Sequence, residues 1–232
     1  MPSFASDFAF IGARDYVHGP TFFEAFRDRV LEVAGLPATS DFSFRILRIN
    51  QPVHANGTIV VTAGHARRAD GGRPAAEMAC FANGTPWTVV FHDRGATPIT
   101  RRVPPQEKDF VRDIALTAPF TGTATLAGIR GNGDLFQAVV EANKQVHLKT
   151  LLGDPLSAAV RFRFAYCLDY RCAPSALPDT GEVDVRSEGL RRTGAHEFSL
   201  TTLTLRLGDF RSTFKLCFAS RDMENGKVSS RN

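Results

Sequence analysis

The sequence predicts an α+β fold, on three observations. Two stretches carry the periodicity of amphipathic helices. Each is followed by a run of long strand-like segments with turn residues between them. A proline-rich, aperiodic segment separates the two sets.

The first helix is expected over about residues 22–34. Phe23, Phe26, Val30 and Val33 recur at helical spacing, with Glu24, Arg27, Asp28 and Glu32 on the other side. Gly35 and Pro37 end it. Thr21 and Glu24 read as a T-x-x-E capping box with Thr21 as N-cap, just after the corner "RDYVHGP". Strand-like "DFSFRILRI" and "GTIVVTAGHAR" follow, then a hairpin of "AAEMACFA" and "WTVVFHD" around "NGTP". The segment "DRGATPITRRVPPQEKDFVRD" breaks all periodicity and reads as a linker.

After it the order recurs. "DLFQAVVEANKQVHLKTLL" is a helix expected over about 134–150, with Asp134 as N-cap and Gly131 and Gly133 before it. "AVRFRFAYCLDYRC" is a long strand, and the Pro-rich "APSALPDTG" interrupts. "EVDVRSEGLRR", "HEFSLTTLTLRL" and "FRSTFKLCFASR" form an antiparallel meander, the last two joined at Gly208-Asp209. "FFEAF" lays on "LFQAV", and "FSFR" on "VRFR". The expected organisation is an N-terminal half over 1–95, a linker over 96–112, a C-terminal half over 113–222 and a disordered tail over 223–232.

Composition excludes several classes. The chain has 232 residues, 43% of them hydrophobic and 22% charged, as in soluble globular proteins. No apolar run is long enough for a membrane-spanning helix, and "MPSFASDFAF" has neither the basic nor the apolar region of a signal peptide, so the cytoplasm is the expected compartment. Four cysteines without C-x-x-C spacing predict free thiols, with no metal site. The net charge of +4 is spread along the chain, which argues against nucleic acid and suits a small anionic partner. Nineteen phenylalanines against three tyrosines and one tryptophan suggest an apolar interior with room for a lipid-like ligand.

One helix followed by long antiparallel strands, done twice, resembles the hot-dog superfamily from about Phe8 to Arg221. In that fold a curled antiparallel sheet wraps a long central helix. The tandem looks like a double hot-dog, with two long helices each wrapped by its own sheet. The resemblance implies an enzyme on an acyl thioester of coenzyme A or acyl carrier protein, most concretely a 3-hydroxyacyl dehydratase or enoyl hydratase, a lyase of fatty acid or polyketide metabolism. An acyl thioesterase on the same scaffold and a non-catalytic acyl-binding or interaction protein are the alternatives. It implies no cofactor, no membrane partner, and a pseudo-dimeric monomer or a homodimer.

Family dehydratases pair a histidine from one half with a carboxylate from the other, near a helix start whose free N–H groups polarise the carbonyl. On that pattern His18 is the acid–base candidate, with Asp134 or His147 as its complement. Gly19 and Thr21 would supply oxyanion donors, and Asn143 a polar lining beside His147. Tyr16 would share the His18 face of an extended segment, with Asp15 pointing away. Arg101, Arg102 and Arg130 are expected to dock the anionic carrier.

Overall fold

A computed structural model describes residues 1–64, 73–104, 110–156, 160–174, 177–193 and 196–222. The tail expected to be disordered lies outside the described residues, as does part of the linker.

Among the described residues, two helices pack on a large antiparallel sheet, the α+β class expected. The first half contributes β1 (Ser3–Ala5), β2 (Phe10–Ile11), α1 (Gly19–Ala34), β3 (Phe42–Ile49), β4 (Ala55–Ala63), β5 (Ala76–Ala82) and β6 (Thr85–Pro98). Next come β7 (Arg102–Val103), β8 (Val111–Ala118), β9 (Thr121–Ala127) and α2 (Asn132–Leu152). Strands β10 (Val160–Arg171), β11 (Thr180–Thr193), β12 (His196–Leu207) and β13 (Phe210–Asp222) complete the chain. No helix among the described residues is long and apolar enough to cross a membrane.

Eleven strands form one sheet in the order β1-β4-β6-β5-β3-β10-β13-β12-β11-β9-β8, where one sheet for each helix was expected. The two sets join where β3 pairs antiparallel with β10, Phe44 opposite Tyr170 and Arg48 opposite Tyr166. The physical reason is an edge: a strand left unpaired there would expose a row of donors and acceptors. Strands border the segment expected as a linker. β6 keeps its ladder to β4 as far as Pro98, β7 pairs with β2, and β8 begins at Val111.

Helix α1 buries Phe22, Phe23, Phe26, Val30 and Leu31 against the sheet. Each buried side chain of this size contributes about 1.5–3 kcal/mol. Gly35 ends the helix in the left-handed region (φ 66°), its N–H returning to Glu32 while the Leu36 N–H reaches the Leu31 carbonyl. Helix α2 is buried over most of its surface, and the Asn132 side chain bonds both backbone groups of Ala173 to anchor its first turn. The helices run past each other in opposite directions. Phe23 meets Phe136 with ring centroids 4.7 Å apart, and Glu24, one step further along α1, packs on Gly133, three steps back along α2.

The halves share the chain order of their elements but not the order of their strands. β11, β12 and β13 are successive neighbours, whereas β6 lies between β4 and β5. Both hairpins expected from turn residues are present, at Asn83-Gly84 and at Gly208-Asp209.

Candidate active site

The corner before α1 is a tethered turn. Residues 12–17 form turns and bends, so the strand alternation that paired Tyr16 with His18 does not apply. Tyr16 is half-buried, Asp15 is exposed, and the Asp15 carbonyl meets His54 Nδ1. The Val17 N–H donates to the Val53 carbonyl (2.9 Å). Arg102 holds the other side, donating to the carbonyls of Gly12 (3.0 Å) and Arg14 (2.7 Å) over the Phe10 ring. Arg101 donates to the Asp7 carbonyl and pairs with its carboxylate. Both arginines therefore carry structure that the docking expectation did not foresee; the exposed Arg130 has its backbone N–H on Asp134.

The N-cap of α1 is His18 rather than Thr21, in extended conformation (φ −75°, ψ 150°). The helix starts early because Gly19 and Pro20 form its first turn, proline being favoured where no intrahelical acceptor exists. Thr21 thus stands third in the helix, and the His18 side chain makes no capping bond. Glu24 leaves its own helix to pack on Gly133 at the start of α2, where partial burial, Asp28 and Asp134 together push its carboxyl upward.

His18 is 7% exposed, and its Nδ1 has no hydrogen-bond partner among the described residues. Burial, followed by the positive charges of Arg14 and Lys144, holds its pKa well below 6.5. The imidazole is therefore neutral at pH 7 and able to accept a proton. Gly19 packs on Phe164 of β10, where a Cβ would meet the ring at 2.5–2.9 Å. Gly19→Ala is expected to lower stability by about 1–3 kcal/mol through overpacking, read from the urea midpoint, and to shift His18 with it.

Along its middle, α2 carries a buried polar cluster. Glu141 is 2% exposed, and its carboxylate accepts from Gln145 Nε2 (3.0 Å) and Lys144 Nζ (3.2 Å). Lys144 also acts on His18, so the cluster and the histidine share one electrostatic neighbourhood. Glu141 and Gln145 were missed in the sequence. The available signal was "VVEANKQV", where both fall on a stripe with Ala138 and Leu148, all four buried.

The other candidates lie elsewhere on α2. Gly131 is the N-cap, so Asp134 caps from the third position, accepting the Arg130 N–H (3.1 Å). It stands near Glu24, seven residues and about 10 Å along the helix from Glu141. Asn143 is fully buried with neither amide atom partnered among the described residues. His147 donates from Nδ1 to the Asn143 backbone carbonyl (2.8 Å), leaving Nε2 without a partner. Its ring lies among Phe120, Phe162 and Phe218, and burial lowers its pKa despite that bond.

Two depressed histidines have a consequence for stability. The unfolded chain takes up protons near pH 6.5 while the folded one resists them, so stability present above that pH is lost as pH falls below it. The melting temperature is expected to drop through this window, and His147→Phe to flatten the slope.

No protein-family model and no curated protein matches the chain. Solved structures with a similar arrangement include a tesB protein of Mycobacterium avium subsp. paratuberculosis, at 12% identity and TM-score 0.49, covering 95% of this chain and 92% of that one. The dehydratase domain of PpsC from Mycobacterium tuberculosis is 13% identical, with TM-score 0.47 and coverage of 89% and 85%. A protein described as a thioesterase from Novosphingobium aromaticivorans is 11% identical, with TM-score 0.41 and coverage of 96% and 95%. At such identities the chemistry has to come from this chain's own residues.

Proposed function

We propose that the chain is a double hot-dog enzyme acting on an acyl thioester of coenzyme A or acyl carrier protein. Each half would be a helix wrapped by its own part of the sheet, over 1–95 and 113–222. Phe23 and Phe136 are equivalent when "FFEAF" is laid on "LFQAV", and equivalent residues meet each other at a two-fold axis. The different strand order of the first half is a departure from that symmetry.

The observation that carries the reading is His18: a buried neutral imidazole whose Nδ1 has no partner among the described residues, at a helix start that feels the charge of Lys144, the ion-pair partner of the buried Glu141. A thioester carbonyl set at that start would accept from the N–H groups of Gly19 and Thr21, Pro20 having none. His18 would then remove the proton from the carbon next to the carbonyl, the enolate oxygen being held by those donors. The hydroxyl on the following carbon leaves as water, taking its proton from the Glu141–Lys144 pair. Hydration is the same path reversed.

A second reading rests on Gln145. Its amide and the Lys144 ammonium both donate to Glu141, which would orient that carboxylate as a base for water. That arrangement suits hydrolysis of the thioester. Incubation with 3-hydroxyacyl and saturated acyl thioesters of both carriers, read by mass spectrometry, separates these outcomes. Loss of water supports the dehydratase, release of free acid and thiol supports the thioesterase, and no turnover leaves the non-catalytic acyl-binding protein.

A further inference from the structure

The inner face of β12 is hydrophobic from Leu203 to Leu205 and then turns polar. Ser199 and Thr201 are both fully buried, and neither hydroxyl has a hydrogen-bond partner among the described residues. Ser199 stands directly opposite Phe218 on β13, and Phe218 touches the His147 ring at 6.5 Å between centroids. His147 Nε2 is also unpartnered, as are both amide atoms of Asn143 one turn earlier on α2. α2 and the inner face of β12 thus carry polar atoms of four side chains without a hydrogen-bond partner among the described residues. Buried polar groups are nearly always paired, so such a concentration calls for a guest.

The row of residues leading there starts at His18. Gly19 packs on Phe164, Phe164 stands opposite Phe218, and Phe218 stands opposite Ser199. Two strand spacings put Ser199 roughly 10 Å from Phe164 across the sheet, about the length of an eight-carbon chain. The row is lined by phenylalanine, which suits the hydrocarbon between a thioester and a polar end.

From this we infer that Asn143, His147, Ser199 and Thr201 form a polar subsite for the far end of the acyl chain. It would select acyl groups that carry an uncharged hydrogen-bonding group, a hydroxyl or ketone, over plain hydrocarbon. The group is uncharged because none of the four side chains brings a fixed charge; hydroxyls and an amide both donate and accept, as a ligand hydroxyl does. A methyl terminus would cover these atoms and leave them unpaired, the situation in which sites built to bond a hydroxyl reject the analogue lacking it.

This inference rests on the thioester reading, and its test keeps the two apart. Calorimetric titration of His18→Ala, which slows turnover, uses octanoyl and 8-hydroxyoctanoyl thioesters of coenzyme A and of acyl carrier protein. The hydroxylated ester is expected to bind about tenfold or more tightly, one net hydrogen bond's worth. Ser199→Ala and Thr201→Val, each added to His18→Ala, are expected to abolish that preference while the octanoyl ester binds as before. Thr201→Val alone is expected to raise the melting temperature, because the ligand-free protein loses no hydrogen bond. Equal binding of the two esters, unchanged by the substitutions, overturns the subsite and leaves the thioester reading standing. Binding of neither ester on either carrier overturns both.

Discussion

His18→Ala is expected to lower turnover by about 10²–10⁴-fold on whichever acyl thioester the chain processes, the range general acid–base groups contribute. Folding should be retained, since the ring's Nδ1 makes no bond that the substitution would break. The pH profile is the sharper readout. Burial and the charges of Arg14 and Lys144 depress the histidine, so it stays in its neutral form below pH 6.5. The acid limb of kcat/KM should therefore fall below that pH and move upward in Lys144→Met, which removes one of the two positive charges. Lys144 contacts Glu141 too, so the position of the limb and not the rate alone is the measurement. An unchanged rate in His18→Ala would remove the histidine from the chemistry and transfer attention to Glu141. A collapsed fold would make it structural.

Glu141→Gln is expected to cost about 10²–10³-fold in turnover, comparable to removing one preorganised electrostatic group. The substitution keeps shape and hydrogen-bonding capacity toward Gln145 but deletes the charge. Lys144 then loses its partner while remaining only about one-fifth exposed, and a buried unpaired ammonium is costly. A parallel Glu141→Gln/Lys144→Met variant separates the two effects. Recovery of stability without recovery of activity assigns the carboxylate to the reaction, measured by thermal melts beside steady-state rates. Recovery of both would mean that Glu141 serves only to neutralise Lys144.

Much of the fold was legible because its signals are local. Helix α1 is announced by Phe23, Phe26 and Val30 at helical spacing and by Gly35 at its end, and both hairpins by their turn residues. The boundaries were less legible. Capping chemistry favours Thr21 and Asp134 as N-caps when read in isolation. The structure starts each helix earlier, at the residues after His18 and Gly131. There Gly19 is drawn in by contact with Phe164, and Asn132 by its bonds to Ala173, partners far along the chain. The candidate site was legible only in part. His18 stands out as a titratable side chain at a corner, whereas Glu141 resembles any charged residue of an amphipathic helix until its surroundings are known.

What the sequence by itself determined is the inventory: two helices, the long strands and turns after each, and a histidine at the first helix start. Helical and strand periodicity depend on residues within a few positions of one another, and a single chain displays them directly. The tertiary structure decided what faces what. It joined the strands into one sheet through β3 and β10, set β6 between β4 and β5, and laid α2 against the start of α1. Those choices depend on burying apolar surface and satisfying backbone groups between distant segments; they bury Glu141 beside Lys144 and bring the charge of Lys144 to bear on a neutral histidine.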